Sequence, residues 1–229
     1  MKPQSYKRIT AYVLDIFIVT IISSLLTFNI YNSNTYKKQT DEYTSLISEY
    51  TNREISEEEF KVKTNELVYN MNKDTLVITI VNVAMTTIYF VVVPYFMNGQ
   101  TLGKKIMKLQ IISKKNKSIT MNQYLIRALF INSILMNILG IIFILFMPKE
   151  MYLKFNDITT YLFGAFYVIT ISMILFREDG RGLHDLLGNT MVIQIEKTLD
   201  IVTNKEKEDK ENKIEKIKDA EIIGKELKM

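Results

Sequence analysis

The run from Ile9 to Ile30 constrains this chain more than any other stretch. It is mainly apolar, it follows the basic pair Lys7-Arg8, and it carries one acid, Asp15. About 20 such residues span a bilayer as a helix, whereas a carboxylate at the centre of a span costs about 2.5–3.5 kcal/mol on insertion scales. Residues seven apart share a helix face, so Arg8 and Asp15 point the same way, about 10 Å apart along the axis. The run is longer than the apolar region of a signal peptide and lacks a small-x-small cleavage pattern before Tyr31, so it reads as a retained transmembrane helix.

Three further apolar runs follow, at about 75–97, 121–147 and 158–176. Together they predict an all-α membrane protein with about four transmembrane helices. The second run carries Thr79, Asn82, Thr86 and Thr87. Such groups either bond a neighbouring helix or line a pathway. The third is long and amphipathic in its first half, with Arg127 there and Asn132, Ser133 and Asn137 beyond. Two arrangements fit it: an interfacial helix over about Thr120 to Phe130 leading into a span that ends near Phe146, or one tilted helix with Arg127 snorkelling to the headgroups. Pro148 ends the segment, and a short link leads to the fourth run.

Between the spans, 31–74 is polar and rich in helix formers. Tyr43, Leu46, Ile47 and Tyr50 recur at helical spacing, as do Phe60, Leu67, Val68 and Met71, and Ser56 with Glu59 fits a capping box. A helical hairpin is expected, with a solvated loop as the alternative. In 98–120, Leu109 to Ser113 reads as a short strand. Thr190 to Ile195 reads as a second, and the two are expected to pair because a lone strand leaves its backbone groups unpartnered. The Gly99-x-x-x-Gly103-Lys104-Lys105 pattern departs from a phosphate loop in spacing and lacks the following Ser or Thr, so turn glycines explain it better. The tail 196–229 mixes Lys and Glu evenly, as a disordered or solvated helical segment does.

Loop charge sets the expected orientation. Segment 31–74 holds six basic and nine acidic residues, and 98–120 holds six lysines and no acid. Short loops rich in Lys and Arg stay in the cytoplasm. Both termini and the two-stranded element are therefore expected in the cytoplasm, and the hairpin outside a cell membrane. Arg8, Asp15 and Asp185 then gather at the inner face, where burying Asp15 costs less than at mid-bilayer.

Composition excludes other chemistries. With no cysteine and a single histidine, His184, neither thiolate nor multi-histidine metal sites can form. Acids nearly balance bases, unlike a nucleic-acid binder. No His-Glu-x-x-His, Gly-x-Ser-x-Gly or cysteine nucleophile occurs, so no enzyme activity, metal or cofactor is expected, and His184 reads as a turn residue capping a backbone group.

Three stretches in order carry a resemblance: Lys7-Arg8 through Tyr12 to Asp15; Gly99-Gln100-Thr101-Leu102-Gly103-Lys104 with Leu109-Gln110-Ile111-Ile112; and Arg181-Gly182-Leu183-His184-Asp185-Leu186-Leu187-Gly188-Asn189-Thr190. Over about residues 5–195, the hairpin apart, the chain resembles the RDD family of multi-pass bacterial membrane proteins, named for one Arg and two Asp. By that resemblance the Arg and first Asp fall on Arg8 and Asp15, the second Asp on Asp185, and Arg127 matches an arginine often found at the start of the third segment. The hairpin, the tail, and Gly-Asn-Thr in place of the commoner Ala-Gly-Thr depart from the family's pattern. Some members are thought to act in ion or proton antiport.

Two functions fit. A transporter would exchange Na+ or H+ at Asp15, with Thr79, Asn82, Thr86 and Asn137 as polar lining; with so few spans it would need an oligomer. A scaffold or accessory subunit would use Arg8, Asp15, Arg127 and Asp185 as a structural charge cluster, with Arg8 paired to Asp15 or Asp185. Its partners would be the bilayer and a second copy or another membrane protein.

Overall fold

The computed structural model describes residues 4–115 and 118–195; the tail expected over 196–229 lies outside them. Helix α1 spans Ser5–Leu26, four residues earlier at each end than the apolar run. Thr27 interrupts it, its hydroxyl donating back to the Ser23 carbonyl at 2.8 Å, and the single turn α2 (Phe28–Tyr31) follows. The outward residues of α1 are large and apolar: Val13, Phe17 and Leu25 are 58%, 63% and 72% exposed. Exposed apolar faces on this scale mark a surface that water does not cover.

The hairpin is helical. Helices α3 (Asn34–Thr51) and α4 (Glu57–Asp74) pack on each other. Ser56 caps α4 by accepting from the Glu59 amide at 3.2 Å, but the Glu59 carboxylate bonds Lys63 at 2.8 Å. Leu46 and Leu67 are the buried residues of the two helices, and Tyr50 stacks on Phe60 with centroids 4.5 Å apart.

The second apolar segment, Leu76–Phe96, is continuous and long enough to span, but not uniform. Helix α5 (Leu76–Thr87) widens into a π turn over Ile88–Val92 before α6 (Val93–Phe96). Pro94 explains the widening. It cannot donate to the Phe90 carbonyl, and its ring crowds that oxygen. The Val93 amide bonds Ile88 instead.

The third segment is a bent pair: α8 (Met121–Ile131) and α9 (Ile134–Phe146) meet at 68°, so a single tilted helix is ruled out. Arg127 is buried rather than snorkelled. Ser133 turns the chain in the left-handed region, φ 54°. The break frees the Ile131 carbonyl, which accepts from the Tyr12 and Tyr167 hydroxyls, each at 3.0 Å. Broken helices inside a membrane persist only where such groups are re-satisfied by protein.

The fourth helix, α10, runs from Lys149 to Phe176, nine residues longer at its start than the apolar pattern. Its polar first turns are held by the hairpin. Tyr152 is buried against Tyr69, and its hydroxyl accepts from Asn72 at 3.0 Å.

Strands β1 (Leu109–Ser113) and β2 (Thr190–Gln194) pair antiparallel as expected, from Leu109 opposite Gln194 to Ser113 opposite Thr190. Two short helices flank them, α7 (Leu102–Ile106) before β1 and α11 (Leu183–Leu187) before β2. Helix α7 lies on α1, and α11 on α8 and α10. The core joins Ala11 and Val19 to Tyr89, Phe90, Leu109, Ile111, Tyr124, Ala128 and Val192. The sheet and short helices thus gather at the start of α1 and the end of α10. The hairpin contacts the opposite ends, through α2, α5 and α10.

Candidate functional site

Two fully buried carboxylates, Asp15 on α1 and Asp185 on α11, organise the sheet end of the protein. Asp15 is held by four donors from two segments. Its Oδ1 accepts from the Tyr89 hydroxyl at 2.7 Å and the Gly103 amide at 2.8 Å. Its Oδ2 accepts from the Thr101 hydroxyl at 2.5 Å and the Lys104 ammonium at 3.2 Å. The π turn places Tyr89 and the start of α7 supplies the rest. A Cβ on Gly103 would collide with the Ala11 carbonyl oxygen and lie 2.8 Å from Asp15 Oδ1. Close approach to α1, rather than turn geometry, therefore explains this glycine. Gly99 is the turn glycine, at φ 82°.

Asp185 joins the other charges. Its Oδ2 accepts from Arg8 Nη2 at 2.7 Å and the Gly182 amide at 3.2 Å. Its Oδ1 pairs with Arg127 Nη1 and accepts from the Thr190 hydroxyl at 3.4 Å. Arg8 Nη1 also donates to the Gly180 carbonyl. His184 is not a turn residue; it sits inside α11, 2% exposed, with Nε2 3.4 Å from Asp185 Oδ2. Burial first, then the fields of Arg127, Arg8 and Lys104, hold its pKa well below 6.5, so its imidazole is neutral. Burial likewise pushes the Lys104 ammonium down to about 8, against the pull of Asp15. Nearby, Arg177 and Arg181 both bond Asp179 and hold its carboxyl below the usual range, Arg177 most strongly.

The four charges singled out by the sequence thus meet at one end, but in two clusters. Arg8 pairs with Asp185, not Asp15. The partner of Asp15 is Lys104; residue type and spacing do not single it out, nor Tyr89 or Thr101, although Thr101 and Lys104 lie in the Gly99–Lys104 stretch that carries the family resemblance. Tyr89 gives no signal in an apolar run.

A cavity of about 200 Å³ lies between the clusters, with Arg8, Lys104, Arg127, Thr101 and His184 on its walls beside apolar groups from α1, α8 and α10. Thr79, Asn82 and Thr86 are half-buried on α5 and Asn137 is exposed; none of the four lines it.

Helices of spanning length, a broken span with its carbonyl re-satisfied, and buried cations each set against a carboxylate define an integral helical membrane protein. The RDD family model matches residues 2–189, and the chain belongs to that family. No curated protein and no solved structure matches it.

Proposed function

We propose that this is a multi-pass protein of the cell membrane, with the sheet end and both termini cytoplasmic, that serves as a scaffold or accessory subunit whose charges hold its fold together. One observation carries the proposal: every oxygen of Asp15 and Asp185 is already engaged by protein donors. A small hard cation needs several oxygen ligands; the charged groups on the adjacent cavity's wall are Arg8, Lys104 and Arg127. The loop charges support the orientation, as does the separation of hairpin and sheet at opposite ends. The reading expects a discrete crosslinked adduct in native membranes, either with a second copy or with another membrane protein, and no dissipation of a sodium or proton gradient by the purified protein in vesicles.

A second reading, exchange of H+ or Na+, draws on Lys104, a cavity-lining ammonium with its pKa near 8 that bonds Asp15. It expects gradient dissipation that Asp15→Asn abolishes. Flux with that dependence would replace the scaffold reading.

A further inference from the structure

The cavity between the two clusters holds more positive charge than its carboxylates balance. Arg8, Lys104 and Arg127 are buried against Asp15 and Asp185, three cations to two anions; Asp179, whose field also reaches Arg8, is bonded by two arginines of its own, Arg177 and Arg181, and His184 is neutral. An unmatched buried cation is expensive unless an anion reaches it.

Two residues on its wall also carry polar atoms without partners. Thr170 and His184, 1% and 2% exposed, line the cavity, and the Thr170 hydroxyl and His184 Nδ1 have no hydrogen bond among the described residues. Thr170, like Thr64 in the hairpin, departs from a common habit of this chain. The Thr27, Thr75, Thr87, Thr159 and Thr160 hydroxyls all donate to a carbonyl four residues back. The methyl of Thr170 instead faces Gly182, where a Cβ would lie 2.9 Å away. Buried polar groups left unsatisfied call for an occupant. About 200 Å³ exceeds the space of one water.

The remaining walls are mainly apolar, with Asn132 and the rings of Tyr12 and Tyr167 among them, and they reach the protein surface. Ile9 on α1 and Ile171 on α10 line the cavity and are 48% and 50% exposed. Both lie near the sheet-side ends of their spans, the level at which lipid phosphates sit. Basic pockets between membrane helices at that level take anionic lipid headgroups.

We propose that the cavity seats the phosphate of a monoanionic phospholipid beside Arg8, Lys104, Arg127 and the Thr170 hydroxyl, with the acyl chains leaving past Ile9 and Ile171. The site does not depend on whether the protein carries ions. The test is native mass spectrometry of the full-length protein in detergent, titrated with equal amounts of phosphatidylglycerol and phosphatidylcholine of matched chains. We expect one phosphatidylglycerol per chain, retained about tenfold over phosphatidylcholine, a ratio typical of one added charge-assisted contact. Thr170→Val, which touches no ion pair, reduces that ratio severalfold. Ile174→Trp, which fills the cavity from its apolar wall, brings it to one. Melting curves establish that each variant is folded, and if Ile174→Trp does not fold, Thr170→Val decides. Equal retention of the two lipids overturns the proposal, as does a preference that survives in the folded variants. Full displacement of the lipid by inorganic phosphate also overturns it and assigns the site to a free anion.

Discussion

Arg8 donates through Nη2 to Asp185 Oδ2 at 2.7 Å, joining residues 177 positions apart. The first turn of α1 is thereby tied to the short helix that precedes the last strand, and Arg127 closes on the same carboxylate from α8. Removing the charge of Asp185 strands two buried guanidinium groups. Breaking a buried pair from one side costs about 3–5 kcal/mol, so Asp185→Asn should lower the melting temperature in detergent sharply. Asp15→Asn should cost less. There the only charged partner among the described residues is Lys104, whose ammonium gives up its proton more readily than most; Tyr89 and Gly103 can still donate to an amide oxygen at the Oδ1 position, and the Thr101 hydroxyl can turn to accept from the amide nitrogen at the other. Equal losses in the two variants would mean that both carboxylates carry the same load.

Gly103 fixes how closely α7 approaches α1. A methyl there meets both the Ala11 carbonyl and Asp15, so Gly103→Ala should destabilise by about 1–3 kcal/mol, the usual cost of overpacking. Gly164, inside α10, has nothing within 4 Å of the corresponding position. Gly164→Ala should be neutral or stabilising by up to about 1 kcal/mol, from helix propensity. Melting the two variants side by side separates close packing from a general effect of adding a methyl.

The spans and the strand pairing were legible because hydrophobic length and backbone satisfaction leave few choices: Leu109–Ser113 and Thr190–Gln194 had only each other. The break in the third segment was one of two arrangements the pattern allowed, a helix over about Thr120 to Phe130 leading into a span that ends near Phe146, and α8 and α9 follow it; its exact place at Ser133 was not legible. Nothing in Asn132-Ser133 announces a left-handed residue, and the bend persists because Tyr12 and Tyr167, from two other helices, reach the freed carbonyl. The start of α10 was hidden for a similar reason. Residues 149–157 look like a polar link until Tyr152 packs on Tyr69 of the hairpin. At the site, residue types inside apolar runs marked Arg8, Asp15 and Arg127 as the costly groups, and the family resemblance added Asp185. Which cation faces which carboxylate follows from the seating of α7 and α11, and local pattern carries no information about that.

The Ile131 carbonyl makes the break testable. Tyr12 and Tyr167 each donate to it at 3.0 Å. Either Tyr→Phe variant leaves one donor on the carbonyl and should cost about 0.5–1.5 kcal/mol for each hydrogen bond lost, the second contacts being Tyr12 with Asn132 and Tyr167 with Ser133. The double variant orphans the carbonyl inside the helix bundle, so its loss should exceed the sum of the single losses by at least about 0.5 kcal/mol. Denaturation of all four proteins in one detergent gives the coupling. Strict additivity would mean that water or another group satisfies the carbonyl.

The single histidine gives the fold a pH dependence of known sign. His184 is buried among Arg8, Lys104 and Arg127, and its pKa lies well below 6.5. Between that depressed value and 6.5 the unfolded chain binds a proton at this residue and the folded chain does not. Stability therefore rises with pH across the window and is lost as pH falls below about 6.5, with a slope of at most about 1.4 kcal/mol per pH unit. Ordinary carboxylates titrate lower, near pH 4, so a series from about pH 7.5 to 5.5 is dominated by the histidine. His184→Gln keeps a polar side chain of similar reach and removes the titration. Its melting temperature should stay nearly flat over that series while the parent protein's falls. Asp185 then keeps Arg8, Arg127, the Gly182 amide and the Thr190 hydroxyl, and any loss common to all pH values measures the packing of the imidazole rather than its charge.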